Sequence, residues 1–417
     1  MLDAVRGGAT LQGARAGALA DLIERDRRLA YELAAGVLRR RAQLDGMLKL
    51  ATADPRLHDV LRLGAYQLRA LARVPAYAAV STSVELAREM AGEGGARYVN
   101  RALRSLAREP GGGRRETELT HPKWLVDRWR RHFGDADATK LLRWNDTRPA
   151  VTLQPAGWGI EQLTARFQAE GFGVREAPYG AGLQLLVAPG SRLPPPAQLP
   201  GFKEGGFIVQ DPAHALVCRF AAVPPGTIVY DACAAPGGKA VALERGGARV
   251  IAGDARRERV GRLVETARRA GVAIRVAVAD LLAPPFRSEA LPAVLVDAPC
   301  SATGTMARHP DARWRVTPRT IARAAERQRA LLTAAAALVR PGGLLVYATC
   351  SLEPEENSDV VTEFLARHPQ FARVPPPPPP AADAVPAALL TPAGDFQSLP
   401  QRHGMDGAYA ARLARVR

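Results

Sequence analysis

Cys300 lies in Asp297-Ala298-Pro299-Cys300-Ser301 and Cys350 in Ala348-Thr349-Cys350-Ser351, and each follows an apolar run, residues 293–296 for the first and 343–347 for the second. Short apolar runs of this kind read as buried strands. In an open α/β sheet ligands bind at the carboxyl ends of the strands, so these spacings deliver two thiols to one crevice. Two thiols there point to covalent chemistry, with one as the nucleophile and another group driving release. A lone cysteine is more often a small buried hydrophobe. That is the reading for Cys218, which falls on a helix expected over about 212–220, whereas paired strand-end motifs argue against it for Cys300 and Cys350.

A third segment carries the cofactor signal. Thr227-Ile228-Val229-Tyr230 reads as a strand entering Asp231-Ala232-Cys233-Ala234-Ala235-Pro236-Gly237-Gly238-Lys239, with a helix from about Lys239. Glycines at a strand-to-helix turn let backbone amides approach a ligand. The spacing is neither the dinucleotide fingerprint nor a Walker loop. A second strand, 249–253, ends in Asp254, placed to hold ribose hydroxyls; a third, 274–279, ends in Asp280. Loop, first acid and second acid in that order fit S-adenosylmethionine as the cofactor. The methionine part lies on Cys233 to Lys239, the ribose at Asp254 and the adenine edge near Asp280, with Arg259 and Asp297 also expected to line the site.

These segments together resemble the bacterial Sun-type (RsmB) branch of the RNA 5-methylcytosine methyltransferases. The resemblance rests on Asp231 to Lys239, on Asp297-Ala-Pro-Cys-Ser-Ala-Thr-Gly-Thr305, and on Ala348-Thr-Cys-Ser351 followed by Glu355-Glu356-Asn357. Arg308-His309-Pro310-Asp311-Ala312-Arg313-Trp314 resembles that branch in particular. The resemblance implies methylation of cytosine C5 in 16S ribosomal RNA by a Rossmann-like α/β domain. It gives Cys350 the attack on C6, Cys300 the removal of the C5 proton and release, and Asp297 a hydrogen bond to the base near N3 that stabilises developing charge. Lys239 would place the base or lower a thiol pKa. Chain order alone leaves the two thiols interchangeable, because DNA cytosine-5 methyltransferases attack from the Pro-Cys motif; Thr349-Cys350-Ser351 is the discriminating feature. Cys233 is expected to pack within the cofactor loop, and Ser301, Thr303 and Thr305 to order their turn. Two departures from the family pattern are His214, where a serine is usual, and a closing Asp406-Gly407-Ala408-Tyr409 that has one aromatic fewer.

The elements that must position these residues follow from periodicity. Residues 1–112 read as an all-α bundle, with Leu19, Leu22, Ile23, Leu29, Leu33, Val37 and Leu38 on one apolar face and further helices over about 56–72, 80–91 and 96–108. Residues 26–40 and 98–104 resemble the NusB-type bundle of the same branch, which implies RNA binding; the plainer alternative is a bundle that only supports the enzyme. Pro110-Gly111-Gly112-Gly113, extended by Arg114-Arg115, breaks the helices. Connecting helices over 113–149 interleave Trp124, Trp129 and Trp144 with arginines. Such tryptophans usually pack a domain junction, though they can also stack single-stranded bases. Residues 150–205 read as a small α+β RNA-recognition-like module, with strands at 151–153 and 183–187 around a helix over about 160–170, and 206–417 as the catalytic domain. The proline run 375–380 reads as a stiff polyproline linker.

At 417 residues the chain can hold several cores. Its net charge of +16 and pI near 10.5 call for an anionic partner, and RNA phosphate is the economical one. Lysine occurs only at 49, 123, 140, 203 and 239; a high-GC genome explains that preference for arginine but not the positive excess. The cysteines lack a metal-ligand pattern and their wide spacing is not that of a disulfide framework. With no apolar run of membrane-spanning length and no secretory leader, the expectation is a cytoplasmic monomer with no membrane association. The resemblance implies 16S ribosomal RNA as the partner, in a subunit not yet fully assembled. Competing readings are a cytosine-5 methyltransferase of transfer RNA or another RNA, and a catalytically silent ribosome-assembly protein that binds RNA. The intact cysteines and cofactor acids weigh against the latter. An amino-methyltransferase is disfavoured by the absence of an Asn/Asp-Pro-Pro-Tyr motif.

Overall fold

The computed structural model describes residues 1–48, 50, 54–109, 120–188, 193–376 and 385–416. The chain forms two compact units, Met1–Arg148 with Met306–Val316, and Pro149–Thr305 with Thr317–Arg417. The Pro110 to Gly113 break, Arg114, Arg115 and residues 377–380 of the proline run lie outside the described residues.

The first unit is helical: α1 (Leu2–Arg6), α2 (Leu11–Ala18), α3 (Glu24–Leu48), α4 (Pro55–Ala70), α5 (Ala76–Arg108), α6 (Lys123–Phe133) and α7 (Asp135–Asp146). Two of its helix starts are capped as side-chain chemistry predicts. Thr10 accepts from Gly13 N at the start of α2, and Asp54 accepts from Arg56 N ahead of Pro55 in α4. The two helices expected over 80–91 and 96–108 are one element with a break at Ala91 and Gly92, where Gly92 takes φ 67°. Val37, Leu44, Leu57, Leu61, Val99 and Leu103 form the core of α3, α4 and α5. The predicted apolar face is shorter than its periodicity suggests. The helix starts only at Glu24, so Leu22 and Ile23 fall in the preceding turn and are exposed, as is Leu29, and continuous burial begins near Ala34. Trp129 is fully buried and Trp124 and Trp144 half-buried, so the first of these packs the unit's interior and presents no face to a base.

Met306–Val316 stands in sequence inside the catalytic region yet packs in this helical unit. Arg313 is its anchor. Its side chain is completely buried, with Nη1 donating to Asp146 Oδ1 at 2.8 Å and Arg39 O at 2.9 Å, and Nη2 donating to Asn145 O. Trp314 packs with Val5, Leu11, Ala34 and Leu38 and donates Nε1–H to Leu38 O at 2.7 Å.

In the second unit, β1 (Thr152–Pro155), α8 (Ile160–Ala169), β2 (Gly173–Glu176), β3 (Leu183–Leu186) and β4 (Phe207–Val209) build an antiparallel sheet of order β2-β3-β1-β4 with α8 packed through Leu163 and Phe167. Phe207–Val209, at the start of the stretch read as catalytic, is thus an edge strand of the small sheet paired with β1. The larger part follows with α9 (Pro212–Ala221), β5 (Ile228–Asp231), α10 (Gly238–Arg245), β6 (Arg249–Asp254), α11 (Arg257–Arg269), β7 (Arg275–Val278) and β8 (Leu291–Asp297). After α12 (Ala312–Arg315), which belongs to the helical unit, come α13 (Pro318–Leu338), β9 (Val339–Thr349), α14 (Ser358–Arg367), β10 (Phe371–Arg373), β11 (Phe396–Ser398), α15 (Pro400–His403) and β12 (Ala408–Arg415).

The large sheet has the order β10-β12-β9-β8-β5-β6-β7, with β11 paired to β12. Strands β9, β8, β5, β6 and β7 are parallel, and β12 is antiparallel to β9. Side chains alternate across a strand, so Val229, Ala293 and Leu295 meet Ala240, Leu243 and Leu263 on one face, while Tyr230, Val294 and Val296 meet Leu331, Leu332 and Phe364 on the other. Strand order reverses between β5 and β8, which opens a crevice at their carboxyl ends. Among the described residues no helix is long and apolar enough to cross a membrane.

Candidate active site

Apart from Lys239 and Arg259, which lie in the first turns of α10 and α11, the expected site residues stand at or just beyond the carboxyl ends of parallel strands. Strand β5 ends in Asp231 and leads into residues 232–237, where Gly237 takes φ 107° and caps α10. A Cβ at Gly237 would stand 2.8 Å from Leu263 Cδ1, so both the backbone angle and the close approach require glycine. The loop is tied to β6 by Ala234 N donating to Gly253 O at 2.9 Å. Asp254 ends β6 and is buried. Its Oδ1 accepts from Arg256 N at 3.0 Å, while Oδ2 stands 3.2 Å from Arg259 Nη1 and has no hydrogen-bond partner. Arg259 also donates to Ala235 O, so one side chain joins the loop to Asp254. Asp280, beyond β7, is exposed and accepts from Leu282 N.

Asp231, in the sequence only the first residue of its motif, is a fully enclosed carboxyl. Burial and the neighbouring Asp297, opposed by Lys239, push it up to about 8. Both buried carboxyl oxygens of Asp231, at the start of the glycine loop, lack a hydrogen-bond partner, and Asp254 Oδ2 has only its ion pair with Arg259; these suit a ligand that carries a cation at one end and sugar hydroxyls further along. The residues present therefore fit S-adenosylmethionine.

Lys239 and Asp297 meet across this crevice, with Nζ donating to Oδ2 at 2.7 Å and His214 Nδ1 at 3.0 Å from the same Nζ. Burial works to lower the Lys239 pKa, but the Asp297 carboxylate, by charge and hydrogen bond, carries it above its usual value. Where the family pattern has serine, His214 thus takes a polar partner's place beside the lysine. Cys218 is buried, with burial pushing its thiol up to about 12, as for the half-buried Cys233 in the loop. Cys218 packs in the core formed by Ala221, Val229, Ala240 and Leu243.

The two strand-end thiols come together: Cys300 Sγ and Cys350 Sγ are 3.2 Å apart. Their strands β8 and β9 are hydrogen-bonded neighbours, and the loops that follow are laced to each other. Ala298 N donates to Ala348 O at 2.8 Å, Gly304 N to Cys350 O at 3.0 Å and Leu352 N to Thr303 Oγ1 at 2.8 Å. Gly407 N donates to Gly304 O at 2.8 Å, and a Cβ on Gly304 would lie 2.4 Å from Gly407 O, which explains glycine on both sides of that contact. The closing turn keeps its packing without a second aromatic, since Tyr409 reaches Asp395 Oδ2 at 2.5 Å and Ala408 N donates to Ser398 Oγ. Hydrogen bonding to Cys350, burial and the nearby Glu356 hold the Cys300 thiol well above its ordinary value. A sulfur held protonated is a poor attacking group, and its thiolate once formed is a strong base.

In the sequence Ser351 and Glu356 stand only as motif residues with no role of their own, and Gln328 belongs to no motif. Glu356 is fully buried, and burial raises its carboxyl against the bonds it receives from Ser301, Gln328 and Ser351. A glutamate followed by Asn357 just after a strand-end cysteine was the available signal, because a carboxylate that close to a buried turn needs donors.

Residues 221–414 match the family described as 16S rRNA methyltransferase RsmB/F. Residues 6–108 match the NusB family, and residues 121–188 a ferredoxin-like domain of RsmF/B-like methyltransferases, a span that takes in α6 and α7. The ribosomal RNA small subunit methyltransferase B of Thermus thermophilus is 35% identical, covering 94% of this chain and 90% of that protein. Its namesake in Vibrio cholerae is 32% identical over 98% of this chain and 94% of that protein. Among solved structures, the crystal structure of PH0851 matches with a TM-score of 0.77 and 25% identity, covering 94% of this chain and 91% of that one.

Proposed function

The chain belongs to the RsmB/F family of 16S rRNA methyltransferases, and from that premise we propose that it methylates cytosine C5 through a covalent bond between Cys350 and C6 of the base. The observation that carries this reading is the pair of sulfurs 3.2 Å apart at the ends of neighbouring parallel strands.

Cytosine C5 is a poor nucleophile. Addition of the Cys350 thiolate to C6 moves the C5–C6 π pair toward C5; Asp297 hydrogen-bonds the base near N3, and the Lys239 ammonium beside it steadies the negative charge that addition creates. S-adenosylmethionine, which Cys233 to Lys239, Asp254, Arg259, Asp280 and Asp297 would hold, would supply the methyl group to C5, its methyl–sulfur bond breaking with the pair left on a neutral thioether. Cys300, having lost its own proton to solvent, then takes the C5 proton. The electrons of that C–H bond re-form C5=C6, and the Cys350–C6 bond breaks with its pair returning to sulfur. The +16 charge and the NusB-family match over 6–108 support RNA binding by the helical unit.

The order of steps supplies the test. Cys300→Ser is expected to attack and methylate, then stall as a protein–RNA complex that survives denaturing electrophoresis. Cys350→Ser is expected to be inactive and to leave RNA uncaptured. Capture by Cys350→Ser instead of Cys300→Ser would reverse the two roles.

A further inference from the structure

We infer that Glu356 is a positioning residue that fixes Cys300 relative to Cys350 and so sets the rate of release; the inference rests on the covalent reading above. Its carboxylate lies where the two cysteine loops converge, and the donors that reach it come from both. From the Cys300 loop, Ser301 N donates to Oε2 at 2.8 Å and Ser301 Oγ donates to Oε1. From the Cys350 loop, Ser351 Oγ donates to Oε1 at 2.8 Å. Gln328 on α13 donates Nε2–H to Oε2 at 2.9 Å and to Pro299 O, also at 2.9 Å, which fixes the residue on the other side of Cys300. The backbone that carries it is itself anchored, because Tyr347 on β9 donates its hydroxyl to the Glu356 main-chain carbonyl at 2.6 Å.

Each cysteine is therefore followed by a serine bonded to the same enclosed carboxylate, and the two serine hydroxyls stand 3.2 Å apart, the spacing of the two sulfurs. Backbone bonds between β8 and β9 set the strands, but Cys300 and Cys350 lie beyond the last paired residues, Asp297 and Ala348. Across that gap the side-chain clamp adds to the loop amide contacts. Addition needs only Cys350 and the base, whereas release needs the second sulfur at C5 while the first is bonded to C6. Loosening the clamp should slow release more than addition.

The test compares Glu356→Ala with Glu356→Gln in enzyme that keeps both cysteines. Glu356→Ala removes every bond to both loops. A glutamine amide can keep them, with its carbonyl taking Ser301 N and Gln328 Nε2 and its NH2 donating to the two serine hydroxyls. For Glu356→Ala we expect kcat to fall by about 10- to 100-fold, the range for a displaced reacting group. KM for RNA should be unchanged, and covalent protein–RNA complex should accumulate during turnover. Glu356→Gln should restore release. Loss of activity in Glu356→Ala without accumulation of the complex, in a preparation where Cys300→Ser captures RNA, would overturn the inference, as would an unaltered kcat. Failure of Cys300→Ser itself to capture RNA would instead overturn the covalent reading. If Glu356→Ala does not fold, Gln328→Met, which removes one bond to Glu356 and one to Pro299 O at similar volume, should shift the same balance in the same direction, and an unchanged balance there would refute it.

Discussion

Replacing Arg313 by methionine takes a guanidinium with no solvent exposure out of the helical unit while keeping most of its volume. Burial already pulls that group's pKa down to about 10, and Asp146 is its principal compensation. Removing one member of a buried pair costs about 3 to 5 kcal/mol because the other is left uncompensated. Two features place this case at the lower end. The Asp146 side chain keeps 27% of its exposure, so water can take over part of the lost interaction. The methionine also escapes the desolvation that the guanidinium suffers. Against that, the carbonyls of Arg39 and Asn145 lose their donor, at about 1 kcal/mol each. The expected loss is about 3 kcal/mol for Arg313→Met. Urea unfolding followed by tryptophan fluorescence reads it out, since Trp124, Trp129, Trp144 and Trp314 all belong to this unit and only Trp158 to the other. In the double variant with Asp146→Asn the two losses should fall short of their sum by more than about 1 kcal/mol. Additive losses, or an Arg313→Met protein as stable as its parent, would refute the argument that this ion pair holds Met306–Val316 in the helical unit.

Asp254→Ala is expected to weaken S-adenosylmethionine binding by about 1.5 to 3 kcal/mol, the worth of a hydrogen bond to a charged group; unchanged affinity by calorimetry would remove the ribose assignment. Asp231, at about 8 in the native protein and about 3.9 in an unfolded chain, makes the native state hold the extra proton between those values, so it lowers stability as pH rises from about 4 to 8. Asp231→Asn should therefore be more stable than its parent at pH 8, by a margin that grows by up to about 1.4 kcal/mol per pH unit across that window. Thermal melts of both proteins from pH 5 to 8 with a constant difference would contradict it.

The strand-end motifs were legible because their signal is local. An apolar run followed by an acid or a cysteine places that side chain in the crevice whatever the rest of the chain does, and Asp231, Asp254, Asp297, Cys300 and Cys350 all lie there. Long-range pairing was not legible. Gly173–Glu176 is a mostly exposed strand with no alternating apolar pattern, and Phe207–Val209 joins the small sheet through bonds to β1 that nothing near it in sequence announces. The Leu22, Ile23 and Leu29 positions fit a helical period by count alone, without the start signal that puts the first helical residue at Glu24.

The same division explains the site itself. A nucleophile and its cofactor loop are specified by short segments, each of which folds onto one strand end, so residue order suffices to find them. Their relative placement is a property of two loops, some fifty residues apart, meeting at a third residue, as Ser301 and Ser351 do on Glu356. Reaction chemistry that needs two sulfurs in sequence must fix that separation more tightly than strand pairing alone can, because pairing ends at Asp297 and Ala348, before either cysteine. A buried carboxylate is costly unless its oxygens are filled with donors, and here the donors that fill it are the groups whose spacing the reaction depends on. The cost of burying Glu356 and the precision of the thiol pair are thus two consequences of one hydrogen-bonded cluster, which is why the residue that sets the geometry is one that never needs to meet the base.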